Sequence, residues 1–140
     1  MASASIYLTF NGNCEEAFNF YKSVFGGEFS YFSRFDSVPK GDRYNVSDAY
    51  KDKVMHVALP IGDSVLMASD CHEDQEASFT LGNNFSVSVS VDSKEDVDRI
   101  FKSLSEGGVV IMPVNSTFWG DYIGMLTDKF GVNWMISFTE

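Results

Sequence analysis

The sequence predicts an α+β protein made of two βαβββ modules, and three observations lead there. The stretch FSVSVSVDS, residues 85–93, alternates serine and valine with the period of two that a strand imposes. Two other stretches place apolar residues at helical spacing: Ala17, Phe18, Tyr21, Val24 and Phe25, then Val97, Ile100, Phe101 and Leu104. Finally, FYKSVFGGEF (residues 20–29) returns as IFKSLSEGGVV (residues 100–110). Both read apolar, aromatic, Lys, Ser, aliphatic, then Gly-Gly, which marks an internal repeat.

Each half then follows one grammar. A strand opens it, SIYLTF in the first half and FSVSVSV in the second. A helix follows, with Asn13 as N-cap and Glu16 three residues on, or Ser93 with Asp96 in the matching place. Gly26-Gly27 and Gly107-Gly108 supply the left-handed stop. Three strands complete each half: GEFSYFSRF, KVMHVALPI and SVLMASD, then VVIMPV, DYIGMLTD and VNWMISF. The last two of each set form hairpins turned by IGDS and DKFG. Module one spans about residues 3–70, a linker 71–83 and module two 84–140. One such unit is too small to close a core, so two must combine, within the chain or between chains.

Composition narrows the function classes. At 140 residues and 44% hydrophobic the chain buries a real core. No stretch approaches a membrane span, and MASASIYLTF lacks the pattern of a signal peptide, so we expect a cytoplasmic protein. Cys14 and Cys71 are too few for a disulfide framework and have no CxxC spacing. A net charge of −10 argues against nucleic acid, whose binding rests on neutralised phosphates.

Paired βαβββ modules resemble the vicinal oxygen chelate superfamily, which includes glyoxalase I, extradiol dioxygenases and bleomycin-resistance proteins. YLTFNGNCEEAFNFYKSVFGGE, MHVALPIGDSVLMASD and TFWGDYIGMLTDKFGVNWMISF resemble its PhnB-like branch, in order and over nearly the whole chain. The resemblance implies mixed sheets curled round a cavity with the helices outside. It then sends the valines of residues 87–91 to helix two and Ser86, Ser88 and Ser90 to the cavity. The same parity sends Ile6, Leu8 and Phe10 inside, and Tyr7 and Thr9 toward helix one.

Enzymes of this superfamily hold a divalent metal with His, Glu or Gln from four strand positions. Aligned on the helix and turn landmarks, those positions fall on Ile6, Met67, Ser86 and Met135. None suits a hard or borderline cation. We therefore expect no metal and no cofactor, and methionines that line or fill a cavity. Members of this branch also carry a name suggesting a demethylubiquinone methyltransferase. No glycine-rich turn of the methyl-donor type supports that activity.

His56 is the strongest candidate for chemistry. With Gly62-Asp63 as a two-residue turn, Ala58 faces Met67 and His56 faces Ser69. That puts His56 on the cavity side, as a general base, a ligand contact or a structural histidine. His72, in SDCHEDQEAS, belongs to a solvated loop rather than a ligand cluster. Cys14 at the start of helix one is a thiol of the kind whose pKa can fall, but it lacks a base. Phe118, Trp119 and Tyr122 stand at a strand entry, either to stack on a flat ligand or to pack. Trp134 should face a helix. Residues 36–52 form a long polar connection, with Lys40 and Arg43 on it.

Two readings result. The first is a metal-independent protein that binds a small amphipathic organic molecule, paired as a homodimer. Its cavity would be apolar at Ile6, Leu8, Met67 and Met135, and polar at His56, Ser69, Ser86 and Ser88, with Trp119 and Tyr122 at the mouth. The second is an enzyme of the lyase or isomerase type, using His56 as acid or base, or an unrecognised divalent metal.

Overall fold

The computed structural model describes residues 2–139. The chain forms two compact units, Met1–Thr80 and Leu81–Glu140. Each has one two-layer core, a four-stranded sheet with a helix on one face.

In unit one, β1 (Ile6–Phe10), α1 (Cys14–Phe25), β2 (Tyr31–Arg34), β3 (Val54–Ile61) and β4 (Ser64–Asp70) give the sheet order β1-β4-β3-β2. The β1–β4 pair is parallel and the other two are antiparallel. In unit two, β5 (Val87–Ser90), α2 (Lys94–Ser105), β6 (Val109–Ser116), β7 (Asp121–Thr127) and β8 (Asn133–Thr139) repeat the plan as β5-β8-β7-β6. Again only the first pair, β5–β8, is parallel. The expected fold class, two βαβββ units with mixed sheets, is what the chain adopts.

The helices bury the faces their periodicity marks. Cys14, Ala17, Phe18, Tyr21 and Val24 of α1 are buried over Val57, Leu59, Leu66 and Ala68. Val97, Ile100, Phe101 and Leu104 of α2 are buried with Val87, Val89, Leu126, Trp134 and Ile136. Trp134 is fully buried and donates its Nε1 proton to Asp128 Oδ2 at 2.8 Å, so the expected helix-side placement holds.

The caps divide between expectation and surprise. Ser93 Oγ accepts the Asp96 amide at 3.1 Å, as its pattern predicts. Asn13 holds the N-cap position of α1 but makes no side-chain cap bond. The carboxylate of Asp70, at the end of β4, takes that role by accepting the Cys14 amide at 3.0 Å and the Gly12 amide at 2.9 Å. Gly26, Gly27 and Gly107 have positive φ, as helix stops require. Gly108 does not, and is glycine for space: an added Cβ would lie 2.9 Å from Asp128 Cα.

Three expectations are corrected. Strand β2 is shorter than GEFSYFSRF, starting only at Tyr31. Strand β5 begins at Val87, so Ser86 lies outside it. The stretch from Asp70 to Ser78 is solvated only in part: Asp70 and Cys71 are buried, while Glu73–Ser78 form a 3₁₀ turn whose residues from Asp74 on are exposed. The long connection 36–52 is likewise folded, round a core of Phe35, Val46 and Tyr50 with Val38 and Met55 against it. The Tyr50 hydroxyl donates to the Cys71 carbonyl, and Ser47 donates its amide and hydroxyl to Glu73 at 2.6 and 2.8 Å. Among the described residues, no helix is long and apolar enough to cross a membrane.

Candidate functional site

The register decides which side chains share a face, because paired residues point the same way. On β1 and β4, Tyr7 pairs with Met67, Leu8 with Ala68, and Thr9 with Ser69. On β3, Ala58 pairs with Met67 and Val57 with Ala68. On β2, Tyr31 pairs with Ala58 and Ser33 with His56. The helix-free face of unit one therefore carries Tyr7, Thr9, Met67, Ser69, His56 and Tyr31, with Ser33 beside them.

This corrects the parity expected for β1. Ile6, Leu8 and Phe10 lie on the helix side, not with Met67. Leu8 and Phe10 are buried, and Phe10 packs edge-on against Phe18 of α1 with ring centroids 6.1 Å apart. The physical reason is that Ile, Leu and Phe are the apolar set of IYLTF, and the helix supplies the core. Ile6, toward the strand start, is 37% exposed. The residue beside Met67 on the first strand is Tyr7, as Ser88 is the residue beside Met135 on β5. Ser86 is not that counterpart.

Unit two has the same construction. Ser88, Met135, Met125 and Met112 form one continuous row across β5, β8, β7 and β6. Ser90, Ser137 and Ile123 form the next. Tyr122 belongs to the other face, which corrects its expected cavity position. It pairs with Phe138, donates its hydroxyl to Asp98 of α2 at 2.7 Å, and has the Lys94 ammonium 5.4 Å from its ring centroid. The hydrogen bond it donates to Asp98 favours the protonated phenol and raises Tyr122 above its ordinary pKa, with desolvation and the Asp98 charge adding to it. Trp119 and Phe118 form an edge-on pair at the β6–β7 turn, with Phe118 97% exposed. The Trp119 Nε1 proton goes to Asp121 Oδ2 at 2.7 Å.

His56 sits within an aromatic run. The Tyr7 ring stacks on it at 5.6 Å and 28°, and the Tyr7 hydroxyl lies 3.3 Å from Nδ1. Tyr31 flanks it with centroids 5.4 Å apart. His56, Met67 and Ser69 are half-buried, while Tyr7 and Tyr31 are exposed. Ser33 Oγ is buried and has no hydrogen-bond partner. Tyr7 and Thr9 thus lie opposite the helix side that parity assigned them, and nothing in the sequence singled out Tyr31 or Ser33. The Tyr/Thr alternation of IYLTF was the available signal, since it matches the Ser/Val alternation of β5.

The other candidates fall away. Burial, then the Asp70 and Glu15 charges, pushes the Cys14 thiol far above its ordinary pKa, the opposite of an activated nucleophile. His72 Nδ1 accepts the Asp74 amide at 3.3 Å, and its ring lies edge-on to Phe35. Lys40 and Arg43 are exposed, with the Arg43 guanidinium 4.7 Å from the Tyr44 ring centroid.

The donor set does not suit a hard divalent metal. At the four strand positions, Tyr7 and Met67 in unit one and Ser88 and Met135 in unit two offer phenol, hydroxyl and thioether, and the imidazole on the unit-one face, His56, has its Nδ1 at the Tyr7 hydroxyl. Among the described residues, no group of three or more His, Cys, Asp or Glu could hold an ion.

With this geometry in view, the comparisons with known proteins fall into place. The family model described as 3-demethylubiquinone-9 3-methyltransferase matches residues 2–137, so the chain belongs to that family, the PhnB-like branch of the glyoxalase superfamily. Protein PA1353 of Pseudomonas aeruginosa is 40% identical, with a TM-score of 0.83 over 99% of this chain and 98% of its own. Protein YjdN of Escherichia coli K12 is 32% identical over 95% of this chain and 92% of its own. A Bacillus cereus protein titled putative 3-demethylubiquinone-9 3-methyltransferase, PhnB protein, is 28% identical, with a TM-score of 0.77 over 99% and 100%. A glyoxalase/bleomycin resistance protein/dioxygenase family enzyme from Burkholderia phytofirmans PsJN shares the fold at 23% identity and a TM-score of 0.63, over 98% and 100%.

The methyl transfer in the family description finds no support at the entry to α1. A nucleotide-type methyl donor seats where parallel strands feed helix N-termini with free amides. Here the Gly12 and Cys14 amides at the entry to α1 are taken by the Asp70 carboxylate.

Proposed function

We propose that this protein binds a small organic molecule without a resident metal, and that the helix-free face of unit one is where it binds. The observation that carries this reading is the run Tyr7–His56–Tyr31. Two exposed aromatic rings flank one half-buried imidazole, on the sheet face of unit one opposite α1. Exposed aromatics offer flat apolar area at low entropic cost, and the imidazole supplies direction. Unit two offers a comparable face, with its methionine row beside the Ser88 and Ser90 hydroxyls. Thioethers adapt to irregular apolar shapes.

The test is thermal. A panel of uncharged amphipathic aromatics should raise Tm with concentration, as mass action requires. His56→Ala should remove the rise. A silent panel sinks the reading.

A second reading rests on the Tyr7 hydroxyl beside Nδ1: His56 acts as acid or base in a lyase or isomerase step. It predicts a turnover whose pH dependence disappears in His56→Ala. Turnover unchanged by that substitution ends it.

We also propose a cytoplasmic homodimer. In support, edge strand β6 exposes Val109, Val110 and Ile111 at 61%, 45% and 60%, a surface that needs cover. Sedimentation should show a dimer that Ile111→Lys converts to monomer. A monomeric parent protein rules this out.

A further inference from the structure

We infer that the helix-free face of unit one reads a hydroxyl carried on a flat, uncharged ring, and that Tyr7 holds the place of that ligand on His56. The inference rests on the binding reading above and narrows it to one ligand class.

Tyr7 already makes the contact such a ligand would make. Its ring lies nearly parallel to the imidazole, and its hydroxyl is at Nδ1. It reaches His56 from β1 across the intervening strand β4. The side chain is half exposed, at 49%, so the contact is open to competition from solvent. Tyr31, tilted at 57° to the imidazole, walls the other side and stays in place when Tyr7 leaves.

The group read is a hydroxyl because of the imidazole. Nδ1 donates in one tautomer and accepts in the other. A hydroxyl serves both, whereas a carbonyl or an N–H serves one. The ring is uncharged because of its surroundings. Thr9, Ser33, Met67 and Ser69 share this face with His56, and none brings a formal charge to balance an ion. The net charge of −10 further disfavours anions.

Ser33 is an independent pointer. It stands directly opposite His56 in the register, and its Oγ is buried without a partner. Buried hydroxyls are normally paired. Ser33 and His56 are cross-strand partners, so a hydroxyl-bearing ligand seated on His56 lies beside the strand position whose Oγ lacks a partner.

The experiment uses the full chain and three probes: 2-naphthol, its methyl ether 2-methoxynaphthalene, and the saturated decahydro-2-naphthol. Affinities are read by calorimetry beside the thermal panel. The expected result is binding of 2-naphthol, with both analogues at least tenfold weaker. Tyr7→Phe keeps a ring but removes the competing hydroxyl, and should tighten 2-naphthol severalfold. His56→Phe should weaken it at least tenfold, and Ser33→Ala should also weaken it. Equal binding of the methyl ether overturns the inference, as does weaker binding by Tyr7→Phe. If 2-naphthol is silent while other panel compounds raise Tm, the inference falls and the binding reading stands. If every compound is silent, both fall.

Discussion

The Asp70 carboxylate accepts the backbone amide of Cys14 at 3.0 Å, which ties the end of β4 to the first turn of α1. The same Oδ1 accepts the Gly12 amide at 2.9 Å, and Oδ2 accepts the Val54 amide at 2.9 Å. One buried carboxylate thus joins the β1–α1 turn, the helix N-terminus and the start of β3. Asp70→Asn keeps the shape but aims an NH₂ at an N–H that needs an acceptor. We expect a loss of about 2–4 kcal/mol, because a buried amide then goes unpaired. Urea unfolding of the two proteins measures it. A loss under about 0.5 kcal/mol would mean that water replaces the carboxylate.

The cysteines give a second prediction. Burial is the leading cause that raises both thiols, and Asp70 adds to it at each. Both side chains are closed to solvent in the folded chain. Iodoacetamide at pH 8 should leave the native protein unmodified and label both cysteines once urea unfolds it. Mass spectrometry reads the count. Rapid native labelling of Cys14 would contradict its burial.

A third prediction concerns pH. Arg34 donates to both carboxylate oxygens of Glu15 at 2.8 Å, which holds that carboxyl below its ordinary pKa. A depressed folded pKa stabilises above the unfolded value, and the contribution is lost as pH falls through the folded one. The pair is substantially solvent-exposed, so its share is at most about 1 kcal/mol. Relative to Glu15→Gln, the parent protein should be the more stable at pH 7. The difference should fade as pH drops below the ordinary carboxylate range, and should shrink in high salt. A difference that survives at the acid end would assign it to packing instead.

Much of this architecture is legible in the chain. Helix periodicity, the repeated Lys-Ser segment and the Gly-Gly stops are local signals, and local signals specify elements well. The Ala58–Met67 pairing also follows from sequence, because a two-residue hairpin at Gly62-Asp63 sets its own register. What failed was the face of β1. Alignment by landmarks set Ile6 against Ser86, one residue out of step, and in a strand one residue exchanges the two faces. Polarity alone would have placed it correctly, since Tyr7 and Thr9 stand to Leu8 as Ser88 and Ser90 stand to Val89. Asp70 was misread for another reason. A carboxylate in SDCHEDQEAS looks solvated until the chain brings three distant amides to it, and no local pattern announces that. Ser33 and Tyr31 matter only through their neighbours on β3, so a linear reading passes over them.

The last prediction separates two glycines that look alike in sequence. At Gly124 on β7, an added Cβ would lie 2.6 Å from Phe101 Cε2 and 2.8 Å from Val114 Cγ2. These are side chains, so the clash is one of packing between the sheet and α2. At Gly108 the Cβ would meet the Thr127 carbonyl oxygen and come within 2.9 Å of Asp128 Cα. That neighbour is backbone, and β6 would have to move away from the turn that Asp128 organises through the Phe130 and Val132 amides. Gly124→Ala should cost about 1–3 kcal/mol, typical of overpacking. Shortening its neighbour with Phe101→Leu should recover part of that, because residues in contact do not add. Gly108→Ala should cost more, and Phe101→Leu should not rescue it. Denaturant midpoints for the two single variants and the two double variants decide the matter. Equal rescue at both positions would mean that the strain at Gly108 also passes through α2 rather than through the Asp128 turn.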